Sequence, residues 1–212
     1  MSYTRVHIMK WNPLHVMHRK PVRVIIEGNI GSGKSTVLNK LADMPEFLKF
    51  KLCLEPLHEW NDTLELFYQD PERWAFTMNL TALCSMKEID AVKGNVLQER
   101  SKDSARWVFA EALRKTVMPQ EYNLMHKVYT LFSKPTRQRV VHIYIRTTPE
   151  VCFSRLQTRD SVDAKTVSLE YLKTLHAFHE KEAVRRHWIV INGNQHPSKV
   201  TADVSNACKM RH

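Results

Sequence analysis

Five short apolar runs punctuate the chain: "VRVIIE" (22–27), "FKLCLE" (50–55), "NVLQE" (95–99), "VVHIYIR" (140–146) and "HWIVI" (187–191). Four of them are rich in Val, Ile or Leu and lack clean alternation. That is the pattern of strands buried on both faces. Between them, "WAFTMNLTALCSMKEIDAVK" (74–93) predicts a long helix stopped by Gly94, and "SARWVFAEALRKTV" (104–117) predicts another. A third is predicted over 168–186, with Leu169, Leu172 and Leu175 at three-residue spacing. Strands alternating with helices predict an α/β fold, a five-stranded parallel sheet flanked by helices on both sides. The polar segment 194–212 suggests no element and reads as a C-terminal tail.

Glycine placement sharpens this picture. The chain has five glycines, and Gly28, Gly31 and Gly33 fall within six residues, where backbone must approach something closely. Gly28-Asn29-Ile30-Gly31-Ser32-Gly33-Lys34-Ser35 matches G-x-x-x-x-G-K-[ST] in full, with Thr36 next and a predicted strand before it. Successive N–H groups of such a loop form an anion nest, and the following helix adds its positive end. Lys34 is expected to reach the β- and γ-phosphates, and Ser35 to bind Mg²⁺. The motif implies a P-loop NTPase fold, a nucleoside triphosphate and magnesium. It does not separate a kinase from a GTPase, a helicase or a motor.

Ligands of open parallel sheets bind beyond the carboxyl ends of the strands. There the second run ends in Glu55-Pro56, followed by Trp60, and the third in Glu99-Arg100-Ser101. If these strands neighbour the phosphate loop, two carboxylates and a guanidinium converge near the γ-phosphate. A carboxylate can take a hydroxyl proton, for which Glu55 is the candidate, while Glu99 can hold the metal through water. Arg100, with Lys34, would hold the charge of the transition state. On the helix 74–93, Met78, Asn79, Ala82 and Met86 share a face. One amide among apolar neighbours there suits a flat heterocycle.

Composition adds bounds. The chain has 212 residues, enough for one domain with a real core, and a formal net charge of +10. That charge suits polyanions, whether nucleic acid or phosphorylated small molecules, but it is spread along the chain without a basic block. No run is long and apolar enough to span a bilayer. Residues 1–20 read as a basic arm without a secretory pattern. Cys53, Cys84, Cys152 and Cys208 form no C-x-x-C pair, so free thiols in a reducing compartment are expected. His176 and His179 are the nearest helical histidine pair and read as a solvated helix face rather than a metal site.

Together "IIEGNIGSGKST", "LEPLHEWND", "FYQDPERWAF", "ERSKDSARWVF", "IYIRTTPEV" and "LEYLKTLHAFHE" resemble the deoxynucleoside kinase family, over about Val22 to Val184. The resemblance implies a kinase domain over 21–193 with a lid at about 154–166. It implies that Glu55 activates the nucleoside 5′-hydroxyl, with Arg100 beside that hydroxyl and Glu99 near magnesium. Trp60 would line the cleft, Tyr68 bond the sugar 3′-hydroxyl, Asn79 read the base and Phe109 stack on it. Arg155 and Arg159 would close over the ATP phosphates. Ala105 stands where members restricted to deoxycytidine and purines carry an acid, so thymidine is the first expected substrate and deoxycytidine the next.

The chain departs from the family pattern at several places. Asn79 replaces Gln, Met78 an aromatic residue, and Lys102 and Asp103 apolar ones. Gln157 and Ser161 stand where lid arginines are common, and Ala164, with Asp163 beside it, where a Glu contacts the 3′-hydroxyl. The expected activity is ATP- and Mg²⁺-dependent phosphorylation of a deoxynucleoside by a cytoplasmic homodimer, with a mitochondrial location as the alternative. The rival readings are a nucleoside monophosphate (thymidylate) kinase and a nucleic-acid-binding P-loop ATPase. Glu55 argues against the first, because a carboxylate repels an acceptor phosphate. Only the net charge favours the second, and neither membrane nor specific nucleic-acid binding is expected.

Overall fold

The computed structural model describes residues 20–133, 135–158 and 166–210. The basic arm up to residue 19, Arg159, Ser161, Asp163 and Ala164 lie outside them. Five strands, β1 (Val22–Glu27), β2 (Lys51–Cys53), β3 (Val96–Glu99), β4 (Arg139–Arg146) and β5 (Ile189–Asn192), form one sheet in the order β2-β3-β1-β4-β5. Every pairing is parallel. Ile26 pairs with Glu99 on one side and Ile143 on the other. The carboxyl ends of β1 and β3 are therefore nearly level, and the segments leaving these two strands emerge side by side, while β4 runs on to Arg146.

The two faces of the sheet differ. Val22, Val24 and Ile26 alternate onto one face, where they join Leu97, Val141, Ile143 and Ile145 in the main core. Helix α1 (Lys34–Ala42) covers that face with Val37, Leu38 and Leu41. Arg23, Glu27, Gln98, His142 and Tyr144 point the other way. They form a polar layer in which Tyr144 and His142 stack on His179 and Trp188. A second apolar cluster joins α2 (Leu57–Gln69), α3 (Pro71–Asp90) and α6 (Pro119–Phe132). Between β3 and α6 lie two single turns, α4 (Lys102–Ser104) and α5 (Ala110–Ala112). After β4 come α7 (Pro149–Gln157), α8 (Leu169–Arg185) and α9 (Pro197–Lys209).

Several expectations need correction. The second strand is shorter than 50–55, so Glu55 sits beyond it on the approach to α2. The long helix starts at Pro71 rather than 74, because Asp70 caps it by accepting from Arg73 N at 3.1 Å. No single helix spans 104–117: Ala105–Phe109 is a π-turn between α4 and α5. The fifth strand starts at Ile189, since His187 takes a φ of 53° that breaks the extended run. His179 is buried rather than solvated. Its Nδ1–H donates to Leu175 O at 2.9 Å and its ring stacks on Tyr144. The polar segment after 194 folds as α9 and packs Val200, Val204, Ala207 and Cys208 into the main core.

Candidate active site

The phosphate loop comes directly after β1. Gly31 has a φ of 76°, and a Cβ there would lie 2.7 Å from Cys152 O, so the loop is pressed against α7 where only glycine fits. Asn29 faces away from the cleft. Its Nδ2 donates to Leu172 O of α8 at 2.8 Å, while its Oδ1 accepts from Ile30 N. Lys34 is buried; its Nζ donates to Asn29 O at 3.0 Å and lies 3.6 Å from Glu99 Oε1. Ser35 Oγ donates to the same Glu99 oxygen at 2.9 Å. Thr36 is exposed at the start of α1. Arg155 reaches the loop from α7, donating from Nη1 to Ser32 O and from Nη2 to Gly193 O.

Across the cleft, Glu55 Oε1 is 2.7 Å from Arg100 Nε, with both side chains nearly enclosed. Arg100 has a φ of 58°, an uncommon backbone for a non-glycine residue. Its N–H donates to Ile26 O at 3.0 Å and its Nη1 to Gly28 O at 2.6 Å. Its guanidinium lies 4.6 Å from the centre of the Phe109 ring. Burial raises the Glu55 carboxyl above its ordinary range, and Glu99 adds to this against the pull of Arg100 and Lys34. Burial also lowers the Lys34 ammonium, with Arg100 acting in the same direction and Glu99 against it.

Lys34, Ser35, Glu55, Glu99 and Arg100 share one cleft with Ile30, Gly31 and Gly33. Its other end is apolar, formed by Trp60, Tyr68, Met78, Ala82, Met86, Ala105 and Phe109, all singled out from sequence. Asn79 also lines it; Nδ2 donates to Ala75 O, one turn back, at 2.9 Å. Trp60 is fixed by its indole N–H, which donates to Ser85 Oγ at 2.9 Å. The π-turn brings Ala105 and Phe109 to the same wall, and such wide turns recur at functional sites.

Sequence reasoning missed part of this lining: Leu57, Leu64, Phe67, Leu113 and Tyr171. Tyr171 lies in a stretch whose helical period was legible, but its partners across the cleft come from distant segments. Arg106 was also missed. It ties the π-turn to α6, donating to His126 Nδ1, Glu111 Oε1 and Tyr122 Oη. The unusual Lys102 and Asp103 have explicit partners: Lys102 pairs with Asp90, and Asp103 with Arg186 at 2.7 Å and with Tyr129.

Among the described residues no group of three His, Cys, Asp or Glu side chains could hold a metal alone. The hydroxyl of Ser35 and the carboxylate of Glu99 are hard oxygen donors side by side. They fit a divalent ion that takes its remaining ligands from phosphate and water.

A phosphate loop on a five-stranded parallel sheet, opening into a cleft whose far end is apolar, defines a P-loop NTPase fold. The chain belongs to the deoxynucleoside kinase family, whose model matches residues 24–210. It is 34% identical over 188 residues to a "Probable deoxycytidine kinase" of fowlpox virus, covering 84% of this chain and 75% of the viral one. It is 30% identical over 196 residues to human mitochondrial thymidine kinase 2 (85% and 72% covered). It is 32% identical over 192 residues to the mitochondrial deoxyguanosine kinase of Xenopus laevis (74% and 71% covered). No helix among the described residues is long and apolar enough to cross a membrane.

Proposed function

We propose that this kinase transfers the γ-phosphate of ATP to the 5′-hydroxyl of a deoxynucleoside, with thymidine preferred and deoxycytidine next. The observation that carries the reading is the buried Glu55–Arg100 pair at 2.7 Å, facing Lys34, Ser35 and Glu99 within one cleft. Glu55 accepts the proton of the 5′-hydroxyl as the new P–O bond forms. Arg100 and Lys34 hold the negative charge of the transferring group. The backbone of residues 28–33 cradles the donor phosphates, and Arg155 covers the loop from the lid side. Ser35 and Glu99 would hold Mg²⁺, which would supply charge neutralisation to the transferring phosphate.

The apolar end receives the sugar and base. Tyr68 and Trp60 flank the sugar, Phe109 stacks on the base, and Asn79 reads its edge among Met78, Ala82 and Met86. The short side chain of Ala105 on the cleft wall leaves room for a 5-methyl group, which supports thymidine. Homodimerisation is part of the proposal. α3 and α6 pack together, and α6 leaves Leu124 and Leu131 on the surface. A cytoplasmic location fits the four cysteines, all unpaired.

The test is to incubate the protein with labelled ATP, Mg²⁺ and each natural deoxynucleoside separately, and to resolve the products. Thymidine monophosphate is expected as the fastest product. No monophosphate from any of the four removes the reading; thymidine as the poorest acceptor removes only the argument from Ala105.

A further inference from the structure

Three successive residues at the end of β1 grip the Arg100–Ser101 dipeptide. Ile26 O accepts from Arg100 N at 3.0 Å, Glu27 Oε1 from Ser101 Oγ at 2.5 Å, and Gly28 O from Arg100 Nη1 at 2.6 Å. Two of these grips are backbone carbonyls; only the middle one is a side chain. Glu27 is fully buried, and among the described residues no hydrogen bond of normal geometry reaches its Oε2. Where a fold needs only a filled position, a well-packed apolar residue is often as stabilising or more so than a buried ionisable one. The carboxyl therefore asks for a reason, and the reason lies in what its partner does.

Ser101 is the hinge between the strand end and the wall of the cleft. Its Oγ accepts from Ser104 N at 3.3 Å, capping α4, while Ser104 Oγ accepts from Ser101 N at 3.4 Å. Just before it stands Arg100 at φ 58°, and just after α4 comes the π-turn that carries Ala105 and Phe109. An arginine in an unfavourable backbone region stays there only while its surroundings over-determine it. We infer that Glu27 is a positioning residue for phosphoryl transfer: through Ser101 it locks Arg100 against Glu55 and sets the face on which Phe109 stands. This rests on the role proposed above for Arg100. Glu27 does not line the cleft and acts only through its neighbour. The neutral ring of His142, Nδ1 3.9 Å from Glu27 Oε1, stands beside it; burial holds that ring's pKa down to about 4. Burial also raises Glu27 to about 7, so the contact with Ser101 does not depend on a full negative charge.

The test compares the full-length variants E27A, E27Q, S101A, E27A/S101A and R100A. Each is measured for kcat and KM with thymidine and for ATP affinity by equilibrium binding. E27A is expected to lower kcat by about tenfold or more, as small misplacements of catalytic groups do, with ATP affinity within about threefold. E27Q, whose amide oxygen can accept the same bond, should remain within about threefold of wild type. S101A should resemble E27A, and the double variant should be no worse than either single one. Wild-type kcat in E27A, equal losses in E27A and E27Q, or additive losses in the double variant would each overturn the inference. If E27A does not fold, an unchanged kcat in S101A does the same. Wild-type turnover in R100A sinks the role of Arg100 and this inference with it. A loss in R100A with none in E27A or S101A sinks the inference alone.

Discussion

In the role proposed for it Glu55 must be ionised to accept a proton, yet burial, with Glu99 beside it, raises its carboxyl above the ordinary range. Turnover should therefore fall, as pH drops, through a value higher than the roughly 4.3 of a free glutamate. Glu55→Gln should remove that acid limb and lower kcat by about 10²–10⁴ while nucleoside binding persists, seen by steady-state kinetics beside equilibrium titration. Ala105→Asp should cut the ratio of kcat/KM for thymidine over deoxycytidine by about tenfold or more, because the longer side chain fills the room proposed for the 5-methyl group. The polar layer under the sheet has its own pH signature. Folded Glu27 keeps until about 7 a proton that the unfolded chain releases near 4.5, so its contribution to stability falls as pH rises through that window. That difference corresponds to about 3 kcal/mol. Folded His142 refuses until about 4 a proton that the unfolded chain takes up near 6.5, so its contribution rises with pH over nearly the same window. The two oppose each other in the wild type. Glu27→Gln should unmask the histidine, raising stability at pH 8 relative to pH 5 by up to about 3 kcal/mol over wild type, as urea melts at both pH values will show.

Helix α9 carries four side chains of the main core: Val200, Val204, Ala207 and Cys208. Ending the chain after Gln195 should strip that face and abolish cooperative unfolding, which calorimetry detects as a missing heat-absorption peak. This helix was illegible in the sequence for a physical reason. Its buried stripe also includes Thr201, whose hydroxyl donates one turn back to Pro197 O, and Ser205, whose hydroxyl donates to the distant Glu46, so a helical period hides inside polar composition. His179 misled in the same way: a polar side chain on the stripe of Leu172 and Leu175, neutralised by burial and stacked on Tyr144. By contrast β1, β3 and β4 lie close to their predicted positions, because the face they turn to α1 carries an apolar residue at every second position, as Val22, Val24 and Ile26 and again Val141, Ile143 and Ile145 do. The phosphate loop was legible because backbone cradling imposes glycines at fixed offsets. The π-turn was not: it carries Arg106 to His126 and Tyr122 on α6, contacts between separate segments that no local pattern records.

For the molecule as a whole, the packing of α3 on α6 and the exposed Leu124 and Leu131 support association through that face. Sedimentation should give a mass near twice the 24.9 kDa of one chain, and Leu131→Lys should move it toward one. The way β3 ends has a wider consequence. Glu99 faces Lys34 and Ser35 on the donor side, while Arg100, the very next residue, faces Glu55 on the acceptor side. Two consecutive residues at one strand end thus face opposite halves of the cleft, and a shift of either is transmitted through the backbone they share. A ligand that displaces this strand end from one side changes affinity on the other, and thermodynamic reciprocity requires the same factor in both directions. On the roles proposed above, the two halves of the cleft would then be linked before any bond is broken.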